Sequence, residues 1–165
     1  VYNIMINIKI ICIGKMKEKS MKEVLDEYIK KLSKFARLDI IELADEKIPD
    51  NAKTAEISKI KEIESKKILD TIDKIGKTYV FACDPNGKQL NSIEFADTIE
   101  SSLLLNSTLT FVIGGSLGLS DTLKQKANKL ISFSKLTFPH QLFRVILAEQ
   151  IYRAFKIINN ETYHK

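Results

Sequence analysis

Three short stretches of this sequence carry residues of the kinds that hold ligands, and each begins at the end of an apolar run or within one. The first is Gly114-Gly115-Ser116-Leu117-Gly118, directly after the apolar residues 109–113. Glycine lets a backbone approach a ligand closely, but this spacing matches neither a phosphate-binding P-loop nor the dinucleotide-binding fingerprint. A tight turn between a strand and a helix accounts for the same glycines without any ligand. The motif alone therefore leaves both interpretations open.

The second stretch, Cys83-Asp84-Pro85-Asn86-Gly87, places a carboxylate at the end of a predicted strand. An aspartate in such a position often only stabilises the turn that follows it. Beside a bound ligand, the same carboxylate could accept a hydrogen bond or face a positive centre. In either case we expect residues 84–87 to form a turn.

The third stretch runs from Phe133 to Phe138 and is followed by Pro139 and His140. Its aromatic and apolar side chains could belong to the core, with His140 capping the last helix. The alternative is a backbone loop that surrounds a flat heterocycle, for which Phe and Leu side chains supply apolar walls. The residue pattern by itself does not separate these two interpretations.

Charged residues on the last predicted helix and the residues at the end of the chain add further candidates. Glu149 and Arg153 stand four residues apart on this helix and can pair, which is usually a structural arrangement. The chain ends in Tyr163-His164-Lys165, which supply an aromatic ring, a titratable ring and a cation. Because chain termini are often disordered, this tail carries no functional prediction by itself.

Alternating strands and helices must position these stretches. Apolar runs predict strands over 7–13, 38–43, 78–83 and 109–113, and a fifth strand or extended loop over 132–138. Helical spacing predicts helices over 20–35, 53–75, 91–105, 121–130 and 140–159, with capping boxes at Ser20–Glu23 and Asn91–Glu94. This alternation is typical of a parallel α/β sheet with helices on both faces. Ligands of such sheets bind beyond the carboxyl ends of the strands, where all three stretches fall.

Length and composition favour a single domain over residues 1–165. The net charge of +5 permits a polyanionic partner, although Lys and Arg are spread along the chain. No apolar run approaches the ~20 residues of a membrane helix, and the amino end lacks the features of a signal peptide. We therefore expect a cytoplasmic protein with no membrane partner. Cys12 and Cys83 are expected to be free thiols, and the histidines are too scattered to suggest a metal site.

Motifs spread over the whole chain resemble one family when they are taken together. They are Gly14-Lys15, Asp84-x-x-Gly87, Phe111-Val112-Ile113-Gly114-Gly115-Ser-x-Gly118, Ser132-Phe-Ser-Lys-Leu-Thr-Phe-Pro-His-Gln141, Arg144, Glu149-Gln150-x-Tyr152-Arg153-Ala154 and Tyr163-His164-Lys165. The sequence resembles the ribosomal RNA large subunit methyltransferase H family, of the SPOUT methyltransferase class, from about Asn7 onward.

The resemblance implies a parallel-sheet SPOUT α/β knot, with a deep trefoil knot near the carboxyl end. It also implies S-adenosylmethionine as the methyl donor and a homodimer as the active form. The expected target is N3 of a pseudouridine in 23S rRNA, methylated on the assembled ribosome.

The resemblance also implies, position by position, which residues form the site. Cofactor contacts are expected from Cys83, Gly114, Phe133, Ser134, Lys135, Leu136, Thr137 and Phe138. The tail residues Tyr163, His164 and Lys165 are expected to reach an active site, either their own or that of the other protomer.

N3 of a uracil ring is protonated at neutral pH, so a general base or a cation that stabilises the anion is useful for methylation. His140 and His164 are candidate bases. Arg144, Arg153 and Lys165 are candidate cations, for the anion or for RNA phosphates. The sequence does not choose among them.

Two alternatives stay open at this point. The same fold could methylate another RNA position, such as a ribose 2′-hydroxyl. The chain could instead be a non-catalytic RNA-binding module, because each motif can also be explained as a turn or as core. Binding of S-adenosylmethionine separates an enzyme from a binding module, and analysis of the methylated nucleotides separates the two enzymes.

Overall fold

The computed structural model describes residues 4–163, and its centre is one sheet of five parallel strands. The strands are β1 (Asn7–Ile13), β2 (Arg37–Leu43), β3 (Tyr79–Gln89), β4 (Thr108–Ile113) and β5 (Lys129–Ser132). They lie side by side in the order β2-β1-β4-β3-β5. The parallel α/β fold predicted from the sequence is confirmed.

Helices cover both faces of this sheet. They are α1 (Lys19–Leu32), α2 (Thr54–Ile75), α3 (Ser92–Leu103), α4 (Asp121–Lys126) and α5 (His140–Ile158). Buried side chains of α1, α3 and α5 join one core cluster, and those of α2 and α4 join a second. In β1, Ile10 faces the first cluster and Ile11 the second, because successive side chains of a strand alternate between faces. Strands buried on both faces explain why the sequence runs are almost wholly apolar.

The predicted turn at 84–87 is wrong, because β3 continues through these residues to Gln89. The register with β5 shifts between Cys83 and Lys88, both of which pair with Ile131, so the extra residues form a bulge. A Cβ atom on Gly87 would stand 2.7 Å from the backbone nitrogen and carbonyl carbon of Ile131. Glycine is required here because two backbones approach each other, not because a turn needs it.

The predictions around β5 are confirmed only in part. The helix expected over 121–130 ends at Lys126. Of the two alternatives for 132–138, the extended loop is confirmed, because the fifth strand occupies Lys129–Ser132. The side-chain carbonyl of Asn128 accepts a hydrogen bond from the Val80 backbone amide at 2.7 Å. The backbone amide of Asn128 donates to the Val80 carbonyl at 2.9 Å. Because of these two bonds, pairing with β3 begins before residue 132, where the predicted segment starts. The segment between Ser132 and His140 is consequently a loop.

The helix caps and the helical stripes follow the predictions only in part. The capping box of Asn91 and Glu94 is confirmed, with both hydrogen bonds at 2.8 Å. The box at Ser20–Glu23 is wrong, because α1 begins at Lys19 with no side-chain cap. Helical spacing on α2 predicts an apolar stripe of isoleucines at 57, 60, 63, 68, 72 and 75, but Ile63 is exposed, whereas Glu64 is buried. Within residues 4–163, no helix has the length and apolar character needed to cross a membrane.

Candidate functional site

The carboxyl ends of β4 and β5 and the bulge of β3 converge on one cavity of about 600 Å³. The three sequence stretches singled out above all contribute to its lining, as expected for the carboxyl edge of a parallel sheet. The lining residues used below are Lys61, Cys83, Asp84, Gly114, Gly115, Gly118, Lys124, Phe133, Ser134, Leu136, Thr137, Phe138, His140 and Phe143. Of the predicted cofactor contacts, Lys135 alone does not line this cavity and is exposed.

The loop after β4, residues 114–118, forms one wall of the cavity from backbone. The amide of Gly118 donates to the carbonyl of Gly115 at 3.0 Å, which closes the loop into a tight turn. Gly118 has φ of +81°, a conformation that favours glycine. A Cβ atom on Gly114 would stand 2.9 Å from the carbonyl carbon of Gly118. Because three of the five loop residues are glycines, much of this wall is backbone, with Ser116 and Leu117 also lining the cavity.

The opposite wall is aromatic and comes from the loop after β5 and the start of α5. Phe133 meets Phe143 edge to face at 5.2 Å between ring centroids, and Phe138 stacks on Phe143 at 6.4 Å. Within the loop, the hydroxyl of Ser134 accepts a hydrogen bond from the Leu136 amide at 2.9 Å. Leu136 is 74% exposed, so it stands at the edge of the cavity. Half-buried rings around a backbone loop suit a flat heterocyclic ligand.

A third wall carries opposite charges beside a thiol. Asp84 is buried and pairs with Lys124 at 3.1 Å, while its other oxygen accepts the Asn86 amide at 2.9 Å. Burial, with a smaller effect of the Asp84 charge, raises the pKa of Cys83 to about 12. The Cys83 thiol therefore stays neutral at physiological pH and acts as a small apolar surface.

His140 lines the cavity from the first turn of α5. Burial, and then the positive charge of Arg144, lower the pKa of His140 below its ordinary value, and the Glu64 carboxylate acts in the opposite direction. A lowered pKa keeps the imidazole neutral at physiological pH. A neutral imidazole facing a cavity can accept a proton from a ligand.

Arg144 lies one turn further along α5 but does not line the cavity. It is 1% exposed, and its guanidinium donates to Glu42 at 2.7 Å and to the Gly14 carbonyl at 2.8 Å. Its Nε atom is buried without a hydrogen-bond partner. These contacts fasten the start of α5 to the carboxyl ends of β1 and β2, so the arrangement favours a positioning role for Arg144.

Tyr163, the described residue of the tail, contacts α5 and does not line the cavity of its own chain. The hydroxyl of Tyr163 donates to Glu149, and its ring lies 4.8 Å from the Arg153 guanidinium. Glu149 follows His140 by nine residues of helix, or about 13 Å of rise. Glu149 bonds Tyr163 and Gln150, and within residues 4–163 it forms no ion pair with Arg153. His164 and Lys165 lie outside the described residues, so their predicted roles stay predictions.

Comparison with known proteins decides the family. A family profile described as “Predicted SPOUT methyltransferase” matches residues 6–164. A ribosomal RNA large subunit methyltransferase H from Clostridium botulinum (strain Kyoto / Type A2) is 56% identical over 160 residues, 96% of this chain and 99% of that protein. A ribosomal RNA large subunit methyltransferase H 1 from Clostridium perfringens (strain SM101 / Type A) is 52% identical over the same shares of both chains. The chain belongs to the ribosomal RNA large subunit methyltransferase H family of SPOUT methyltransferases.

Solved structures share the fold of this SPOUT methyltransferase at low sequence identity. A probable methylase family protein from Haemophilus influenzae Rd KW20 has a TM-score of 0.54 and 12% identity, over 96% of this chain and 70% of that one. A probable methyltransferase from Bordetella pertussis Tohama I has a TM-score of 0.52 and 11% identity, over 92% of this chain and 98% of that one. At such identities the likeness concerns the fold alone.

Three polar residues of this methyltransferase site were missed by reasoning from the sequence. Lys61 and Lys124 line the cavity, and Glu64 lies against Gly115. The sequence does contain a sign that Glu64 is unusual. It lies four residues from both Ile60 and Ile68, so it shares their apolar face of α2. Nothing in the sequence distinguishes the two lysines from the other lysines of the chain.

Proposed function

We propose that this protein transfers a methyl group from S-adenosylmethionine to N3 of a pseudouridine in 23S rRNA of the assembled ribosome, acting as a homodimer. The observation that carries the proposal is the cavity between the carboxyl ends of β4 and β5 and the bulge of β3, in a chain of this family. The names of the 52–56% identical relatives support large-subunit rRNA as the substrate. The N3 position rests on the family resemblance.

The residues around the cavity fit the proposed donor. Its volume of about 600 Å³ falls within the ~300–1,000 Å³ of ordinary small-molecule sites. The backbone of residues 114–118 and of 133–138 could hold an adenine ring by hydrogen bonds, with Phe133 and Phe138 beside it. Gly114 packs directly against the backbone of Gly118 and the side chain of Leu119, which keeps the loop compact beside the cavity.

Among the described residues, His140 is our candidate for the base. When bound, S-adenosylmethionine supplies a methyl group whose bond to sulfur breaks as N3 attacks in line. His140 is half-buried on the cavity wall, and its lowered pKa keeps it ready to take the proton of N3. Lys61 gives the cavity positive charge that favours an anionic uracil ring or an RNA phosphate, whereas Lys124 is paired with Asp84. Arg144 acts in this scheme by holding the start of α5.

Two features support a homodimer in which the tail serves the other protomer. Tyr163 docks on the middle of α5, about 13 Å of helix away from His140 of its own chain. In addition, α5 still presents half-buried apolar residues, such as Val145 and Ile146, after packing against α1 and α3. The deep trefoil knot and the cytoplasmic location stay predictions within this proposal.

Calorimetry with S-adenosylmethionine tests the enzyme against the alternative of a non-catalytic RNA-binding module. We expect saturable binding to the full-length protein, and weaker binding after Gly114→Ala. A titration that gives no heat at any donor concentration would favour the binding module.

Mass analysis of rRNA tests the target. We expect ribosomes from a deletion strain to lack one methyl on a 23S pseudouridine, and the purified protein with donor to restore it. Loss of a ribose methyl would instead favour the 2′-hydroxyl alternative. Intact ribosomes and a short RNA hairpin carrying the same loop are then compared as substrates. Equal turnover on both would contradict the requirement for an assembled ribosome.

A further inference from the structure

Glu64 is a buried carboxylate with few partners. It lies on α2 with 5% of its surface exposed. Its Oε2 atom accepts the Glu46 amide at 3.1 Å, and within residues 4–163 it forms no ion pair. The nearby cation Lys67 bonds the side chain of Glu46 at 2.6 Å and the carbonyl of Ala44 at 3.0 Å, so it is engaged elsewhere.

Such a carboxylate is costly for folding. A buried ionisable group without a cation loses more hydration than one hydrogen bond returns. An apolar residue of similar volume would often serve stability as well or better. The position of Glu64 in the middle of the α2 stripe, four residues from Ile60 and from Ile68, is therefore not explained by packing.

The carboxylate meets the glycine loop that walls the cavity. A Cβ atom on Gly115 would stand 2.8 Å from Oε1 of Glu64 and 3.3 Å from its carboxyl carbon. Gly115 lines the cavity, and its carbonyl accepts the Gly118 amide that closes the loop. The side chain of Glu64 thus fills the space in which any residue other than glycine would place its Cβ.

The same carboxylate acts electrostatically on His140, which lines the cavity from α5. The charge of Glu64 raises the pKa of His140, and the charge of Arg144, on the same helix as His140, lowers it. Arg144 is itself paired with Glu42 near the end of β2. The remaining charged groups of the cavity are Lys61 on α2, Asp84 on β3 and Lys124 on α4. Asp84 and Lys124 pair with each other, which leaves Glu64 as the negative charge that acts on His140.

We propose that Glu64 is a positioning residue of this site: its carboxylate supports the glycine loop at Gly115 and stabilises a positive charge on His140. The inference rests on the proposed function for its catalytic meaning, since His140 is the candidate base. By stabilising the imidazolium, Glu64 would help His140 to accept and hold the proton that leaves N3.

The charge effect is tested with Glu64→Gln, which keeps the side-chain length, and with Glu62→Gln as the matched control, an exposed residue on the same helix. The chain has two histidines, so NMR of the imidazoles gives two titrating signals, which His140→Gln assigns. We expect E64Q to lower the midpoint of the His140 titration and E62Q to leave it unchanged. An unchanged midpoint in a folded E64Q protein would overturn the electrostatic part of the proposal.

The support of the loop is tested with Glu64→Asp, which keeps the charge but shortens the side chain. We expect E64D to retain the His140 midpoint, to speed amide exchange at residues 115–118, and to weaken S-adenosylmethionine binding by about tenfold. If E64D changes neither amide exchange at residues 115–118 nor S-adenosylmethionine binding, Glu64 does not support the glycine loop.

These measurements separate the inference from the proposed function. The histidine titration and the amide exchange are recorded without donor or RNA, so they can succeed even if the protein has another substrate. Conversely, binding of S-adenosylmethionine by the wild-type protein tests the proposed function independently of the results for E64Q and E64D. With intact ribosomes as substrate, E64Q should also move the acid limb of the pH–rate profile to lower pH, because His140 then loses its proton more readily.

Discussion

At Gly87 two strands approach so closely that a single methyl group has no space. Three backbone atoms of Leu130 and Ile131 would lie 2.7–2.8 Å from a Cβ at this position. Because these atoms belong to the sheet, they cannot move aside as a flexible side chain would. A neighbour more than 40 positions away in the sequence therefore determines that residue 87 is glycine. The motif shows the glycine but not this reason for it.

We expect Gly87→Ala to lower the free energy of unfolding by about 1–3 kcal/mol, the usual cost of overpacking. Urea unfolding followed by circular dichroism measures the change. Asn86→Ala is the control, since the Asn86 side chain is exposed and we expect a change within about 0.5 kcal/mol. Equal stability of G87A and wild type would mean that the β3–β5 contact is looser than described.

Several site residues could be predicted from the sequence and others could not. Cys83, Gly114 and His140 follow apolar runs or a proline break, and the strand-end rule then places them together at the cavity. Glu64 is different, because its proposed role depends on Gly115, which approaches it only in the folded chain. Residue patterns reveal an unusual polar residue on a stripe, but they do not reveal what it touches.

At the scale of elements, one buried side chain determines how α5 meets the sheet. Arg144 bonds Glu42 near the end of β2 and the carbonyls of Ile13 and Gly14 at the end of β1. The amides of Lys17 and Glu18 both donate to the Gln141 side chain at 2.9 Å, which fixes the same helix end to the loop before α1. The position of His140 on the cavity wall depends on these contacts.

Arg144→Met should therefore destabilise the protein by about 3–5 kcal/mol, because it leaves Glu42 without its cation and takes the guanidinium donor away from two carbonyls. Urea unfolding provides the measurement. Arg37→Met is the matched control, since Arg37 is exposed and pairs with Asp39 at 3.4 Å, and there we expect about 0–1 kcal/mol. If both variants lose the same stability, Arg144 does not fasten the helix as described.

The docking of the tail on α5 should depend on pH. Burial, and then the hydrogen bond to Glu149, raise the pKa of Tyr163 above its ordinary value of 10.0. A raised pKa means that the folded state favours the neutral phenol, so its contribution is full below pH 10 and is lost as pH rises through the higher folded value.

The variant Tyr163→Phe isolates this contribution, roughly 1 kcal/mol for a hydrogen bond of this kind at neutral pH. We expect the stability difference between wild type and Y163F to be constant from pH 7 to pH 9 and to shrink at higher pH. Chemical unfolding at each pH measures it. A difference that grew with pH would contradict the hydrogen-bonded arrangement.

Element positions were predictable where apolar periodicity is strong, as in β1, β4 and α5. The boundaries of β5 were not, because the Asn128 side chain and amide bond to Val80 and begin the strand early. The bulge in β3 escaped prediction for a similar reason. Asp-Pro-Asn-Gly favours a turn locally, but Cys83 and Lys88 on either side of it both pair with Ile131, so these residues form a bulge within β3.

At the scale of the whole molecule, the proposed homodimer makes a quantitative prediction about the tail. We consider a heterodimer of one protomer with Gly114→Ala and one protomer without residues 163–165, isolated through two different tags. If each tail serves the other protomer, one site of this dimer has both an intact cavity and an intact tail. Its turnover should then be about half that of the wild-type dimer.

Homodimers of either variant should be inactive, and they serve as the controls for this experiment. An inactive heterodimer would mean that each tail serves the cavity of its own chain. Calorimetry on the truncated homodimer should still detect the donor, because the described part of the tail does not line the cavity.

The direction of the sheet has a practical consequence for single-molecule work. All five strands run the same way, so the residues that enter β1 and those that surround the cavity lie at opposite ends of the molecule. Ile4 and Met5 are 73% and 68% exposed, and the length of β1 separates them from the cavity by about 20 Å. A dye or a surface tether attached at this end should leave room for a particle as large as a ribosome to dock.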